Sequence, residues 1–270
     1  MSRKVTRILV VLDDIGPGDA LRSNFALDAI RLAQPGARIT LLVSEVAAGV
    51  FGDDVPCDRV VVSAIYQSRR ASRWRIRLYK LKETLRALRS VGVDHDVVFV
   101  LNWGTLTLDV LARLAGRTVF GFENGPSFLL SHSLGAYDVE GDPIAQNRAL
   151  LAAAGIEAGP HPQLPSVAAP APGHSARRPY AVLHTGTDWA CQQWTEDRWA
   201  ALGDWIVDEL GLDVVFTGMA EEVGYIARVQ GMMRRPSTSL AGRTDIADLR
   251  EVIAQASLCV TVDSAPYELA

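Results

Sequence analysis

The chain has 270 residues, with 27 Lys and Arg against 31 Asp and Glu, a formal net charge of −4, and 49% apolar and 21% charged residues. These proportions are globular and exclude disorder over most of the chain, and at about 100–200 residues per domain the length holds one large domain or two smaller ones. The mild acidic balance argues against a dedicated nucleic-acid binder, which shows a basic domain.

At the N-terminus the apolar run Ile8–Leu12 ends at Asp13 and Asp14. It is shorter than the roughly 7–15 residues of a signal-peptide core or the roughly 20 of a membrane span, so the expectation is a soluble, cytoplasmic chain. Val5–Leu12 is apolar almost throughout, as a strand covered on both faces of a parallel sheet should be. Ala20–Leu32 shows helical spacing and is stopped by Pro35-Gly36. Strands follow at Arg38–Val43, Arg59–Val62, Asp96–Leu101 and Thr118–Gly121, separated by helices at Ser72–Val91 and Thr105–Leu114. This alternation predicts βαβ units and a doubly wound α/β sheet.

From Gly155 to Pro179 the chain carries six prolines and few large apolar residues, so 159–178 reads as a linker between an N-terminal domain (1–158) and a C-terminal one (179–270). The pattern then restarts, with strands at Tyr180–His184, Asp213–Thr217 and Leu258–Val262 and helices at Thr195–Leu210, Ala220–Met232 and Asp245–Ala256. Only three strands are clear before the sequence ends inside the start of another helix, so the second domain reads as partial.

Several loops at strand ends carry polar and glycine residues, where ligands of open α/β sheets bind. After the first strand, Asp13-Asp14-Ile15-Gly16-Pro17-Gly18-Asp19 leads into a helix. Asp19 is there either a functional carboxylate or simply a first-turn acid, favoured at any helix N-terminus. The spacing is not the GxGxxG dinucleotide fingerprint, because Leu21 stands where the third glycine would. Thr185-Gly186-Thr187 follows the first strand of the second half and offers hydroxyls and open backbone N–H groups to a phosphate or sugar, though an ordinary turn has the same composition. Trp189 and Trp194 flank Gln192 and Gln193, as a ligand-covering platform or as core. Asp263-Ser264-Ala265-Pro266 follows the last strand, and a helix start there suits a diphosphate or is just a capped helix.

The stretch from Arg69 to Ser90 holds Arg69, Arg70, Arg73, Arg75, Arg77, Lys80, Lys82, Arg86 and Arg89 against one acid, Glu83. It would attract an anionic membrane or a phosphorylated acceptor, or form a solvated face. Cys57, Cys191 and Cys259 are scattered, as free thiols of a reducing compartment would be, and neither they nor the histidines show metal-ligand spacing.

Taken together, RILVVLDDIGPGDALRSNFALDAIRLAQPGARITLLVS, HTGTDWACQQWTEDRWAALGDWI, VVFTGMAEE and LAGRTDIADLREVIAQASLCVTVDSAPYELA resemble, in order, the blocks of glycosyltransferase family 9, the ADP-heptose:lipopolysaccharide heptosyltransferases and their relatives. The resemblance implies a GT-B fold of two Rossmann-like halves across a cleft, the first for the acceptor and the second for a nucleotide-sugar donor. It implies metal-independent transfer of a sugar, heptose in the first instance, to a lipopolysaccharide-type or other glycan acceptor. The nucleotide sugar is a substrate, so no cofactor is implied, and the place of action is the cytoplasmic face of the inner membrane. Asp19 falls on the general base. Thr185, Gly186, Thr187, Asp263, Ser264, Ala265 and Pro266 fall on donor-diphosphate positions, and Thr217, Gly218, Met219, Leu240, Ala241 and Gly242 near the nucleoside.

Three features depart from the family pattern. Gln192 stands where many members have a phosphate-facing Lys, Glu268 replaces a His, and family chains run further. These departures keep open a catalytically silent or truncated nucleotide-sugar-binding protein. A sugar-nucleotide epimerase on the same fold is a more distant third reading.

Overall fold

The computed structural model describes residues 5–12, 17–49, 51, 55–65, 73–101, 105–138, 140–159, 179–187, 190–262 and 264–269, with the backbone alone at 17, 46, 73–78, 190 and 268. The chain divides into two compact units, Met1–Leu164 and Pro165–Ala270. The stretch 160–178, the turn 13–16, Arg69, Arg70, Trp189 and Asp263 lie outside the described residues.

The first unit runs β1 (Arg7–Leu12), α1 (Pro17–Ala33), β2 (Arg38–Ser44), α2 (Glu45–Ala48), β3 (Arg59–Ser63), α3 (Arg73–Val91), β4 (His95–Val100), α4 (Leu106–Ala115), β5 (Gly116–Gly121), β6 (His132–Ser133) and α5 (Pro143–Ala153). Its strands form one parallel sheet in the order β3-β2-β1-β4-β5-β6. Successive residues of β1 point to opposite faces, and both faces are covered, which is why β1 is apolar at almost every position. Ile8, Val10 and Leu12 pack with Phe25, Leu27 and Ile30 of α1 and with Leu150 and Leu151 of α5. Leu9 and Val11 pack with Ala87 and Val91 of α3 and with Leu108 and Leu111 of α4.

The second unit runs β7 (Tyr180–His184), α6 (Glu196–Trp205), β8 (Asp213–Thr217), α7 (Val223–Met232), β9 (Ser237–Ser239), α8 (Ile246–Ala254), β10 (Leu258–Thr261) and α9 (Ala265–Leu269). Its parallel sheet has the order β10-β7-β8-β9. The core gathers Ala181, Leu183 and Phe216 from the strands with Trp199, Ile206, Ile226 and Val229 from the helices.

Four details differ from the sequence reading. The second sheet has a fourth strand, β9, whose Ser-Thr-Ser sequence gives no apolar signal. The helix expected to reach Leu210 ends as α-helix at Trp205 and continues as a π-helical turn, Ile206–Leu210, closed by Gly211 at φ +66°. The helix expected from Ala220 opens with a 3-10 turn, Ala220–Glu222. Helix α5 was not read from the sequence, although Asp142 caps it by accepting from the Ile144 N–H, with Pro143 at its start.

The β9 edge is tied down by charge. Buried Asp204 on α6 accepts from the backbone N–H groups of Arg234 (2.9 Å) and Arg235 (2.8 Å) and from the Arg234 guanidinium (3.0 Å). Burial pushes the Asp204 pKa up, but these three hydrogen bonds and the Arg234 charge outweigh it and leave the carboxyl below its ordinary value.

Candidate functional site

In the second unit three adjacent strands, β10, β7 and β8, end in line. Thr261 pairs with His184, and His184 with Thr217, so the loops after β10, β7 and β8 leave the sheet at one edge. Parallel strands place their following loops on the same side, and this is where open α/β sheets take ligands.

The loop after β7 starts with buried polar groups. His184 is buried, its Nδ1 2.9 Å from Thr217 Oγ1, and burial pushes its pKa down to about 4, so the ring is neutral near pH 7. Thr185 is fully buried and its Oγ1 meets no hydrogen-bond partner among the described residues. Such a hydroxyl costs about 1–3 kcal/mol unless something accepts from it. Thr187 Oγ1 donates to Gln192 Oε1 at 2.8 Å, which folds the short 3-10 turn Ala190–Gln192 back onto the loop.

The loop after β8 is stapled to the loop after β9. The Leu240 N–H donates to the Phe216 carbonyl (2.8 Å) and the Gly242 N–H to the Gly218 carbonyl (2.9 Å). Gly242 lies at φ +68°, with the Ala220 backbone 3.1 Å from where a Cβ would stand, so a side chain there is both strained and crowded. This staple brings Thr217, Gly218, Met219, Leu240, Ala241 and Gly242 together.

Glu222 completes this edge and was not singled out in the sequence. Its carboxylate accepts from the Met219 N–H at 2.7 Å and lies directly over the bare Cα atoms of Gly186 and Gly218. An acid in the first turn after a strand reads as ordinary capping, which hides its place above two glycines from two different loops.

Beyond β10, the Val262 N–H donates to the His184 carbonyl (3.4 Å), and Ser264 Oγ lies 3.3 Å from Thr261 Oγ1. Ser264 is thereby set beside the loop after β7. Ala265 and Pro266 open α9, with Pro266 buried. Asp263, between them and the strand, lies outside the described residues.

Asp19 belongs to the first unit. It sits in the first turn of α1, half exposed, with Oδ1 3.4 Å from the Arg22 guanidinium and its main-chain carbonyl accepting from Ser23 Oγ (2.7 Å). Buried Asn147 of α5 lies 3.4 Å from Ser23 Oγ, linking α5 to this turn. Tyr137, edge-on to Phe122, is close enough to feel the Asp19 charge. Burial first, and then Asp19, push its phenol up to about 12, so it stays protonated.

No curated protein sequence matches the chain. Among solved structures it is similar to a glycosyl transferase family 9 protein from Veillonella parvula DSM 2008, with 17% identity and a TM-score of 0.80 over 99% of this chain and 78% of that one. It is also similar to E. coli heptosyltransferase WaaC, solved with ADP-2-deoxy-2-fluoro heptose (20%, TM-score 0.71, 98% of this chain and 85% of that one). The third is E. coli ADP-heptose lps heptosyltransferase II (20%, TM-score 0.72, 98% and 81%). At these identities the likeness shows the fold, the α/β architecture of GT-B glycosyltransferases with its two parallel sheets. The family itself is shown by sequence: its model matches residues 110–270, more than half of the chain and all of the loop cluster after β7, β8 and β10, and the chain therefore belongs to glycosyltransferase family 9 (heptosyltransferase).

Proposed function

We propose that this glycosyltransferase moves a sugar, heptose in the first instance, from a nucleoside-diphosphate sugar to a hydroxyl of an anionic glycan acceptor, free or lipid-linked. The observation that carries the donor assignment is the edge of the second sheet. Three strand-end loops there gather the hydroxyls of Thr185 (buried), Thr187 and Ser264, the Gln192 amide and two glycines, with the Glu222 carboxylate over both glycines. The hydroxyls of Thr187 and Ser264 and the Gln192 amide suit a diphosphate. The Glu222 carboxylate repels phosphate and accepts from hydroxyls, so the sugar hydroxyls of the nucleoside go toward Glu222, Gly218 and Leu240–Gly242. Structures with ADP and an ADP-heptose analogue bound to E. coli WaaC support an adenine nucleotide as the first donor to try.

In the reaction the acceptor oxygen forms a bond to the anomeric carbon while the bond from that carbon to the diphosphate oxygen breaks. The nucleoside diphosphate leaves with the electron pair, and Asp19 takes the acceptor proton as general base. General-base help of this kind contributes about 10²–10⁴ in rate. Donor groups aimed at the departing phosphate stabilise its charge, and here they are neutral hydroxyls and the Gln192 amide, with no cation at 192. Transfer without a metal belongs to the same proposal. The cations of the stretch 69–90 support an anionic acceptor and peripheral action at the cytoplasmic face of a membrane.

Calorimetric titration of the chain with ADP, UDP and GDP tests the donor half. Selective binding of ADP is the expected result, and no binding of any of the three rejects the assignment. A second test is transfer itself: Asp19→Ala should lower turnover by at least a hundredfold while nucleotide affinity stays within a few-fold. Unchanged turnover removes Asp19 from the chemistry.

A further inference from the structure

We propose that Asn147 is a positioning residue for sugar transfer, acting through the Ser23 hydroxyl to fix the turn of α1 that carries Asp19. Helices α1 and α5 pack together on one face of the first sheet. The core there is apolar and gathers Phe25, Ala26 and Ile30 of α1 with Leu150 and Leu151 of α5. Ser23 of α1 and Asn147 of α5 are nonetheless polar, and both are 0% exposed. A leucine would serve packing at position 147 as well, and a buried amide is costly unless it is hydrogen-bonded. Asn147 Nδ2 donates to Ser23 Oγ at 3.4 Å, and Ser23 Oγ donates to the Asp19 main-chain carbonyl at 2.7 Å. The three groups thus form a chain from α5 into the first turn of α1, bridging 124 residues of sequence.

Apolar helix faces can slide over one another at little cost, whereas a buried amide is satisfied in one register. Here that register is the one of α5 against the turn that bears Asp19. Asn147 is itself well fixed, little more than one turn beyond the start of α5, which Asp142 caps and Pro143 opens. Arg22, 3.4 Å from Asp19 Oδ1, holds the carboxylate from within the same helix. Such a contact moves with α1, so the height of the turn above the sheet needs a partner on another element, and Asn147 supplies one. A general base tolerates little displacement: a shift of about 1 Å can cost on the order of a hundredfold in rate. This role rests on Asp19 acting as the general base.

The test follows ADP release from ADP-heptose by the full chain, with water in place of the glycan acceptor, beside ADP affinity by calorimetry. In Asn147→Leu and in Ser23→Ala, kcat should fall about tenfold or more while KM and ADP affinity stay within a few-fold. Ser23→Thr keeps the hydroxyl and should recover most of the rate. Circular dichroism checks each fold, and if Asn147→Leu unfolds, the contrast between Ser23→Ala and Ser23→Thr decides. Wild-type kcat in both Asn147→Leu and Ser23→Ala overturns the proposal, and so does a parallel loss of ADP affinity, which marks a general loosening of the chain. A wild-type chain that releases no ADP counts against the sugar-transfer reading instead, and amide hydrogen exchange then reads the hold directly. In Asn147→Leu, exchange at residues 20–24 should quicken about tenfold or more relative to the rest of α1, and unchanged exchange there overturns the proposal.

Discussion

Burial shifts two ionisable side chains, Asp109 and His184, so that each couples stability to pH below neutrality. Asp109, in the first turn of α4, is 1% exposed, and desolvation pushes its carboxyl up to about 6 against hydrogen bonds from Asn124 that pull it down. Its Oδ1 meets no hydrogen-bond partner among the described residues. Between the ordinary value of 3.8 and about 6 the folded chain holds a proton that the unfolded chain has released, so stability falls as pH rises through this window. Two pKa units correspond to about 3 kcal/mol. Asp109→Asn should therefore stabilise the first unit by up to about that amount at neutral pH. Urea unfolding should show the gain shrinking to nothing below pH 3.8, and a variant no more stable at neutral pH would contradict it. His184 works in the opposite sense. Unfolded, it takes a proton below 6.5, and folded only near 4, so the second unit loses stability as pH falls between these values. Asp19, Thr185 and Thr187 were legible as candidates because they follow apolar strands, where open α/β sheets take ligands. Glu222 was not, because its role depends on two glycines that lie 36 and 4 residues before it in the chain.

At the scale of elements, the strand-end loops depend on missing side chains. A methyl group at Gly186 would occupy the space of the Glu222 carboxylate, which the Met219 N–H holds in place. The carboxylate is the end of a flexible side chain and can swing away, so Gly186→Ala should cost no more than about 1 kcal/mol of stability, the worth of one hydrogen bond. Nucleotide affinity should fall about tenfold, because the displaced carboxylate no longer faces the nucleoside. Calorimetry on the variant checks both figures, and wild-type affinity would detach Glu222 from the site. Most elements were readable from periodicity, since β1, β7 and β8 are continuous apolar runs bounded by turns. The short strands β6 and β9 were not, because His-Ser and Ser-Thr-Ser join their sheets through backbone bonds that no side-chain pattern reports.

The whole molecule consists of two units with separate cores, and the doubly wound class followed from the alternation of strands and helices in each half. A ligand held by one unit stabilises the folded form of that unit by mass action. At a concentration a hundredfold above its dissociation constant, ADP should add about 2.7 kcal/mol to the unit that binds it. Differential scanning calorimetry should then show one transition moving up and the other staying in place, and a rise in both equally would contradict a site confined to the second unit. Among the described residues no helix is long and apolar enough to cross a membrane.

The clamp on the β9 edge has a consequence for how this chain tolerates substitution. Strand β9 contributes no large side chain to the core, and the turn before it is fastened by the Asp204 carboxylate to two backbone amides and a guanidinium, with Asp208 holding the Arg235 guanidinium at 2.6 Å. Positions 237–239 are therefore free to drift among small and polar residues so long as the backbone ladder to β8 survives. Asp204, thirty residues upstream of Arg234, carries the constraint that the strand itself lacks. A saturation mutagenesis profile of the second unit should show a permissive strand beside an intolerant Asp204 on α6.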